Sequence, residues 1–297
     1  MGTEGYIPFG GHRTWYEVHG DPDGRLPALL VVHGGPGLPH DYLSDLSSLS
    51  EGGRRVVFYD QLGCGRSDRP DDDSLWVLDT FVDELANVRR HLGLGRIHLL
   101  GHSWGGWLAL ESTLRPAGQE GLLSLILAST CPSLRRFAIV TAALKALLPR
   151  DVQDALDRHE AAGTTDSEEY QAASFAYVAR YVYRRQPIPD NVMTAFGGLN
   201  QRIYGLMQGP EWNVTGNLKD WDVTERLDEI HVPTLVTSGR FDEMTPAIVE
   251  PLVAGIRGAE WVVFENSAHM AMSEEPERYR DVVGGFLDTV DATAGPR

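Results

Sequence analysis

The sequence predicts an α/β fold in which a mostly parallel sheet is flanked by helices and interrupted by a long helical insert. Short apolar runs recur along the first half of the 297-residue chain, separated by turn-rich and helical segments. Residues 133–221 carry helical patterns without a convincing strand, and strand patterns resume after them. Strands that alternate with helices indicate parallel βαβ units, here divided by the insert.

The first half of the chain supplies most of the predicted sheet. Residues Tyr6–Gly20 are typical of an antiparallel hairpin at one sheet edge. A helix is predicted at Leu78–Leu92, where the apolar residues share one face. Four buried-strand patterns follow the hairpin, each a short apolar run beside turn residues: Ala28–Val32, Arg55–Asp60, Ile97–Leu100 and Leu122–Ala128.

The second half contains the insert and the end of the core. The predicted insert helices are Leu134–Leu148, Asp151–Ala162, one after Ser167, Asp190–Phe196 and Leu199–Met207. Two strands, Pro233–Gly239 and Trp261–Phe264, and a last helix, Pro276–Val290, complete the core. We therefore predict an α/β core over residues 1–132 and 222–297 and a helical cap over residues 133–221. An insert of this length is typical of a lid over a site.

The composition disfavours several classes of partner. The chain has 26 basic and 42 acidic residues, a net charge of -16, which disfavours binding to nucleic acid or to an anionic membrane. No apolar run approaches the ~18 residues of a transmembrane helix. The first residues lack a signal-peptide pattern, and there are only two cysteines, so we expect a cytoplasmic protein. Its oligomeric state is not indicated.

The strongest chemical pattern is Gly-His-Ser-Trp-Gly at residues 101–105, which fits G-x-S-x-G. It lies between the strand that ends at Leu100 and a helix predicted to begin near Gly106. That strand–turn–helix context is the one a nucleophilic serine requires, because the flanking glycines permit the tight turn that exposes the hydroxyl. We therefore predict that Ser103 is the nucleophile.

An acid and a base follow the serine in the chain. Asp242 comes after the strand that ends at Gly239, and His269 comes after the strand that ends at Phe264. Both thus lie at the carboxyl edge of the sheet, where sites of α/β proteins form. We predict that His269 takes the Ser103 proton and later gives it to the leaving group. Asp242 then orients the imidazole.

A glycine-rich loop, His33-Gly34-Gly35-Pro36-Gly37, directly follows the first parallel strand. We predict that the backbone N–H groups of Gly35 and Trp104 stabilise the oxyanion. A phosphate-binding loop is the alternative, but no lysine of the P-loop kind follows. His33 is interpreted as orienting the loop. The Asp71–Asp73 run is interpreted as a solvated loop, so we predict no metal site.

Three segments together resemble the prolyl aminopeptidases, also called proline iminopeptidases: His33–Gly37, Tyr59–Ser67 and Gly101–Gly106. The resemblance covers nearly the whole chain, and it is strongest to the branch that includes the tricorn-interacting aminopeptidase and amino-acid amidases. It implies a cofactor-free serine peptidase of the α/β-hydrolase fold with a helical cap. It also implies the triad Ser103, Asp242 and His269.

The resemblance also places acidic residues where the free N-terminus of the substrate binds, and by position these are Glu211 and Glu243. A protonated amine in a partly dry cleft needs a carboxylate partner, and an N-terminal proline offers two N–H donors. Taken alone, Glu211 is also typical of a solvated residue and Glu243 of a helix start. Gly34 and Trp212 are further candidates for substrate binding. The aromatic residues Trp104, Trp212, Phe137 and Tyr177 are candidates for the pocket wall.

We therefore expect a hydrolase that releases an N-terminal residue, preferably proline, through an acyl-enzyme. Its substrates would be small peptides or amino-acid amides with a free N-terminus. The alternatives are an L-amino-acid amidase or esterase and acyl transfer to another amine, since all three use the same chemistry. A ligand-binding receptor on a silent hydrolase fold is a further alternative, which the complete triad disfavours.

Overall fold

The computed structural model describes residues 2–21 and 24–294, whose strands form one twisted sheet. In chain order the strands are β1 (Thr3–Phe9), β2 (His12–His19), β3 (Leu26–Val32), β4 (Arg54–Asp60), β5 (Ile97–His102), β6 (Leu122–Ala128), β7 (Thr234–Gly239) and β8 (Glu260–Phe264). Their order across the sheet is β1-β2-β4-β3-β5-β6-β7-β8. Strand β2 is antiparallel to β1 and β4, and the other neighbours are parallel. The predicted α/β fold with an edge hairpin is confirmed.

Helices cover both faces of the sheet. Those that follow core strands are α1 (Leu78–His91), α2 (Trp104–Leu114), α8 (Pro246–Gly255), α9 (Ala271–Glu274) and α10 (Pro276–Ala294). Those between β6 and β7 are α3 (Leu134–Lys145), α4 (Arg150–Ala162), α5 (Glu168–Tyr181), α6 (Asp190–Gly197) and α7 (Gln201–Met207). Three 3-10 helices span His40–Ser50, Asp73–Leu75 and Thr224–Glu229.

The core lies in two layers, one on each face of the sheet. Strand β3 shows why, because its successive side chains point to opposite faces. Leu30 and Val32 pack in the layer formed with α1, α2 and α8. Leu29 and Val31 pack in the layer formed with α10 and the His40–Ser50 helix. A parallel strand buried on both faces therefore has the continuous apolar run that predicted it.

Several elements of the core were not predicted, among them α8 and the 3-10 helix His40–Ser50. Helix α8 is short, begins with Pro246 and contains Pro251, which together hide a helical pattern. A 3-10 helix has three residues per turn, so the 3.6-residue repeat that predicts α-helices does not predict His40–Ser50. Both elements are buried against the sheet by tertiary packing.

The two ends of the insert lie side by side. Ser133 and Asp222 form an antiparallel bridge, and the Ser133 hydroxyl donates to Asp222 Oδ2 at 2.6 Å. The Asp71–Asp73 segment contacts the insert as well, because Arg202 of α7 pairs with both Asp71 and Asp73. In residues 2–21 and 24–294, no helix is long and apolar enough to cross a membrane.

Candidate active site

Ser103 occupies a strained turn between β5 and α2. Its φ of 56° and ψ of -121° lie where side chains rarely occur. A Cβ at Gly101 would lie 2.2 Å from the Gly105 carbonyl oxygen, and a Cβ at Gly105 would lie 2.2 Å from the Val32 carbonyl oxygen. The glycines are thus required by close backbone approach. Helix α2 begins at Trp104 rather than near Gly106 because the turn is a single residue long.

His269 and Asp242 form a buried hydrogen-bonded pair beside this turn. His269 Nδ1 lies 2.8 Å from Asp242 Oδ1, which also accepts the Met244 N–H at 2.8 Å. Burial by itself lowers the pKa of His269, but the carboxylates of Asp242, Glu243 and Glu211 outweigh it and raise that pKa to about 9. The imidazole therefore lies in a strongly negative environment.

His102, the residue before Ser103, connects the glycine-rich loop to the His269 loop. Its Nε2 lies 2.9 Å from the His269 carbonyl oxygen, which can only accept, so Nε2 carries the proton. Its Nδ1 then accepts from the Tyr42 hydroxyl at 2.8 Å, and that hydroxyl accepts the Gly34 N–H at 2.7 Å. Burial lowers the pKa of His102 well below its usual range, which is consistent with this neutral tautomer. The chain of hydrogen bonds is fully satisfied.

The two residues predicted to supply oxyanion donors, Gly35 and Trp104, both lie beside Ser103. The Gly34 N–H is engaged by Tyr42, and the Gly34 carbonyl accepts from His33 Nδ1 at 2.9 Å. Trp104 is the first residue of α2, so its N–H has no acceptor within the helix. Gly35 has a φ of 120°, where a side chain would be strained, and its Cβ would meet the Gly37 nitrogen at 2.6 Å. Gly34 and Gly35 both line the cavity in front of Ser103.

His33 orients this loop, as expected, through hydrogen bonds to Gly34 and Gln61. Its Nε2 accepts the Gln61 N–H at 2.9 Å, and burial lowers the pKa of His33 to about 4, so the ring is neutral. The Trp104 indole donates to Gln61 Oε1 at 2.7 Å and packs against Phe81. The prediction that the Trp104 side chain forms a pocket wall is therefore wrong, because its indole is held in the core. Phe137 also packs in the core rather than lining the cavity.

A cavity of about 460 Å³ lies between the core and the insert. Seven of the predicted site residues line it: Gly34, Gly35, Ser103, Glu211, Trp212, Glu243 and His269. Asp242 lies behind His269. The wall of the cavity is predominantly apolar and includes Val178 and Val182 from the α5 region and Phe196 and Leu199 from the α6 region. Tyr177, a predicted wall residue, also lines it and packs on Trp212 with ring centroids 5.0 Å apart.

Two carboxylates line this cavity, one from the insert and one from the core. Glu211 comes from the insert, and its oxygens accept from the Tyr204 hydroxyl and from Gln208 Nε2, the latter at 2.7 Å. Glu243 comes from the turn after β7, and its carboxylate is buried beside the Tyr177 hydroxyl. Burial raises the pKa of both carboxyls, and the charge of Glu211 raises that of Glu243 further. Burial therefore disfavours the ionised carboxylates, and a cation in the cavity would stabilise them.

Several residues that build the site were missed at the sequence level. Tyr204 and Gln208 are four residues apart, a helical spacing that could have indicated a shared partner. Tyr42 offered no comparable signal because it acts across 60 residues of chain. Glu274 was also missed: it accepts the Ala268 N–H at 2.6 Å and the Arg184 N–H at 2.7 Å, which ties the His269 loop to the insert.

Known proteins show the same architecture. The alpha/beta hydrolase fold family matches residues 27–276. The chain is 43% identical over 293 residues to a proline iminopeptidase of Heyndrickxia coagulans, covering 98% of this chain and 100% of that protein. It is 39% identical over 290 residues to one of Saccharolobus solfataricus, covering 97% and 93%.

Solved structures agree with these relatives. The crystal structure of VinJ superposes with a TM-score of 0.92 at 42% identity, covering 97% of this chain and 99% of that one. The crystal structure of a proline iminopeptidase from Mycobacterium smegmatis superposes with a TM-score of 0.87 at 37% identity, covering 99% and 100%. The predicted resemblance is thereby confirmed. The chain has the α/β-hydrolase fold and belongs to the proline iminopeptidase family.

Proposed function

We propose that this protein is a serine aminopeptidase that releases an N-terminal residue, preferably proline, from peptides or amides. One observation carries the proposal: the cavity that holds Ser103 and His269 is also lined by two buried carboxylates, Glu211 and Glu243, with no lysine or arginine among its described lining residues. Buried carboxylates are costly unless a cation joins them. The ammonium group of a free N-terminus is such a cation, and it lies next to the first scissile bond.

In the proposed reaction, Ser103 Oγ attacks the carbonyl carbon of the first residue while His269 Nε2 takes the hydroxyl proton. The oxyanion accepts hydrogen bonds from the backbone N–H groups of Gly35 and Trp104. His269 then gives the proton to the leaving nitrogen, the C–N bond breaks, and an acyl-enzyme forms on Ser103. Water, deprotonated by His269, attacks the ester, and the free amino acid leaves.

The amine subsite is proposed to consist of Glu211, Glu243 and the Tyr177 hydroxyl. That hydroxyl is buried beside the Glu243 carboxylate. A prolyl ammonium has two N–H donors, which match the two carboxylates. We further propose that residues 133–221 act as the cap, because Glu211, Trp212 and Tyr177 all come from that segment. Gly34 contributes shape to the subsite, since its own backbone groups are engaged.

Cytoplasmic location and the absence of a cofactor stay predictions. Amidase, esterase and acyl-transfer activity use the same residues and stay alternatives. The cavity of about 460 Å³ falls in the range of ligand sites, ~300–1,000 Å³. This favours substrates that extend beyond a single residue.

The test compares hydrolysis of prolyl p-nitroanilide, alanyl p-nitroanilide and the N-acetylated form of each. We expect high activity on the free prolyl amide and loss of activity on acetylation. Activity that survives acetylation would mean a general amidase or esterase without an amine subsite. Labelling by a fluorophosphonate, and its loss in Ser103→Ala, tests the nucleophile separately; an unlabelled native protein would refute the acyl-enzyme.

A further inference from the structure

His269 lies between two carboxylates, one at each ring nitrogen. Asp242 Oδ1 is 2.8 Å from Nδ1, and Glu243 Oε1 is 3.8 Å from Nε2. All three side chains are at most 5% exposed. Orienting the ring requires only the carboxylate on Nδ1. The second carboxylate is close to Nε2, the atom that must be unprotonated to take the Ser103 proton.

The ionisable groups around His269 add up to a negative environment. Asp242 and Glu243 come from the turn after β7, and Glu211 comes from the insert. His102 packs its ring 4.7 Å from that of His269 and is neutral. Tyr177 is also neutral, because burial and the nearby carboxylates raise the pKa of its phenol. Glu274, on α9, accepts the N–H groups of Ala268, in the His269 loop, and of Arg184, in the insert.

This arrangement favours the wrong protonation state for a base. With the cavity free of a cation, Asp242 and Glu243 stabilise the imidazolium, and little solvent screens these charges. The imidazolium charge in turn opposes the burial that raises the pKa of Glu243, so it favours the ionised form of that carboxyl. A protonated Nε2 cannot accept the proton of Ser103. An additional positive charge beside Glu243 would reverse this preference, because it would compete with the imidazolium for the same carboxylate.

We propose that the ammonium group of the substrate itself converts His269 into a base, by pairing with Glu243 and Glu211 and so releasing the Nε2 proton to solvent. This inference rests on the proposed amine subsite and adds a second role for Glu243. Glu243 controls the protonation of His269 Nε2, as a positioning residue, and also binds the ammonium group of the substrate. In the step, one imidazolium N–H bond breaks, the proton goes to water, and the ammonium keeps its own protons.

His269 would stay unprotonated at Nε2 during both acylation and deacylation. The ammonium belongs to the acyl group, so it stays beside Glu243 in the acyl-enzyme and keeps His269 unprotonated for deacylation. Departure of the amino acid resets the imidazolium. Substrates that lack the charge would therefore lose kcat as well as affinity, so selection for a free N-terminus is made in the chemical step too.

The deciding experiment is a pH titration of His269 by ¹⁵N-histidine NMR in the full-length Ser103→Ala variant, with and without saturating prolinamide. The His269 resonance is identified by its loss in a Ser103→Ala, His269→Gln variant. We expect prolinamide to lower the pKa of His269 by at least one unit, a tenfold loss of proton affinity. Calorimetry in two buffers of different ionisation enthalpy would report the released proton.

The outcomes separate this inference from the proposed function. If prolinamide binds and the pKa of His269 does not move, the inference is overturned and the amine subsite stands. If prolinamide at millimolar concentration does not bind, the amine subsite and the inference both fail.

A matched pair of variants tests Glu243 without any ligand. In ligand-free Ser103→Ala, adding Glu243→Gln should lower the pKa of His269 by at least one unit. Glu265→Gln is the control, because Glu265 is an exposed carboxylate of the His269 loop that pairs with Arg240. It should leave the pKa of His269 unchanged. If Glu243→Gln folds and His269 titrates as before, Glu243 does not control the proton. If it does not fold, the prolinamide titration still decides.

Discussion

Replacement of Glu211 by glutamine tests the amine subsite because it removes the charge and keeps the shape. Both carboxylate oxygens accept hydrogen bonds from α7, from Tyr204 and Gln208. A glutamine can accept from Gln208 and donate to the Tyr204 hydroxyl, so these contacts can be kept. The change therefore acts mainly on the cation that the carboxylate would bind.

The size of the effect follows from the hydrogen bond that is lost. A hydrogen bond to a charged group contributes ~1.5–3 kcal/mol. At 1.36 kcal/mol per tenfold, kcat/KM for a free prolyl substrate should fall by about 10- to 150-fold. Stability should not fall with it. Burial raises the pKa of Glu211, so its ionised form costs folding free energy above its unfolded pKa, and a neutral glutamine avoids that cost.

The assay measures kcat/KM for prolyl p-nitroanilide and for p-nitrophenyl acetate, an ester without an amine, together with the free energy of unfolding near pH 7. We expect a selective loss on the prolyl substrate, no loss on the ester, and unchanged or higher stability. Glu169→Gln is the matched control, since Glu169 is an exposed insert carboxylate paired with Arg158. A loss below threefold on the prolyl substrate, or an equal loss on both substrates, would refute the reasoning.

Three further predictions concern the scaffold. Tyr42→Phe leaves the Gly34 N–H and His102 Nδ1 without their partner, so denaturant unfolding should show a loss of ~2 kcal/mol or more; no loss would refute the network. Gly105→Ala places a Cβ 2.2 Å from the Val32 carbonyl oxygen, so the free energy of unfolding should fall by ~1–3 kcal/mol and activity by at least tenfold. Gly52→Ala, with open space around it, should leave both unchanged. Burial lowers the pKa of His40, but Asp60 and Glu17 outweigh it and raise that pKa from 6.5 to about 9. The stability advantage of the native protein over His40→Gln should therefore be complete below pH 6.5 and decline as the pH rises through about 9, measured by urea unfolding; a constant advantage would contradict the ion pair.

Local patterns in the sequence were sufficient for the α/β fold, the edge hairpin and the order of serine, aspartate and histidine. They were sufficient because each depends on a short stretch of chain: an apolar run that forms a buried strand, or glycines that permit a one-residue turn. Ser103, Asp242, His269 and the glycine-rich loop were predicted in the same way, from their positions after strands. Glu211 and Glu243 were predicted from the family resemblance. The Trp104 side chain shows the limit, because its direction depends on Gln61 and Phe81 rather than on its own neighbours.

The sequence by itself thus determined which residues reach the carboxyl edge of the sheet and which chemistry they could perform. Only the tertiary structure decided how their charges and hydrogen bonds combine. His102 reaches the His269 carbonyl across 167 residues of chain, and Tyr42 reaches His102 across 60. Glu243 adjoins Asp242 in the chain, but its approach to the second nitrogen of His269 depends on the burial of both loops against the insert. Such contacts depend on packing between distant segments, which local periodicity and spacing do not encode.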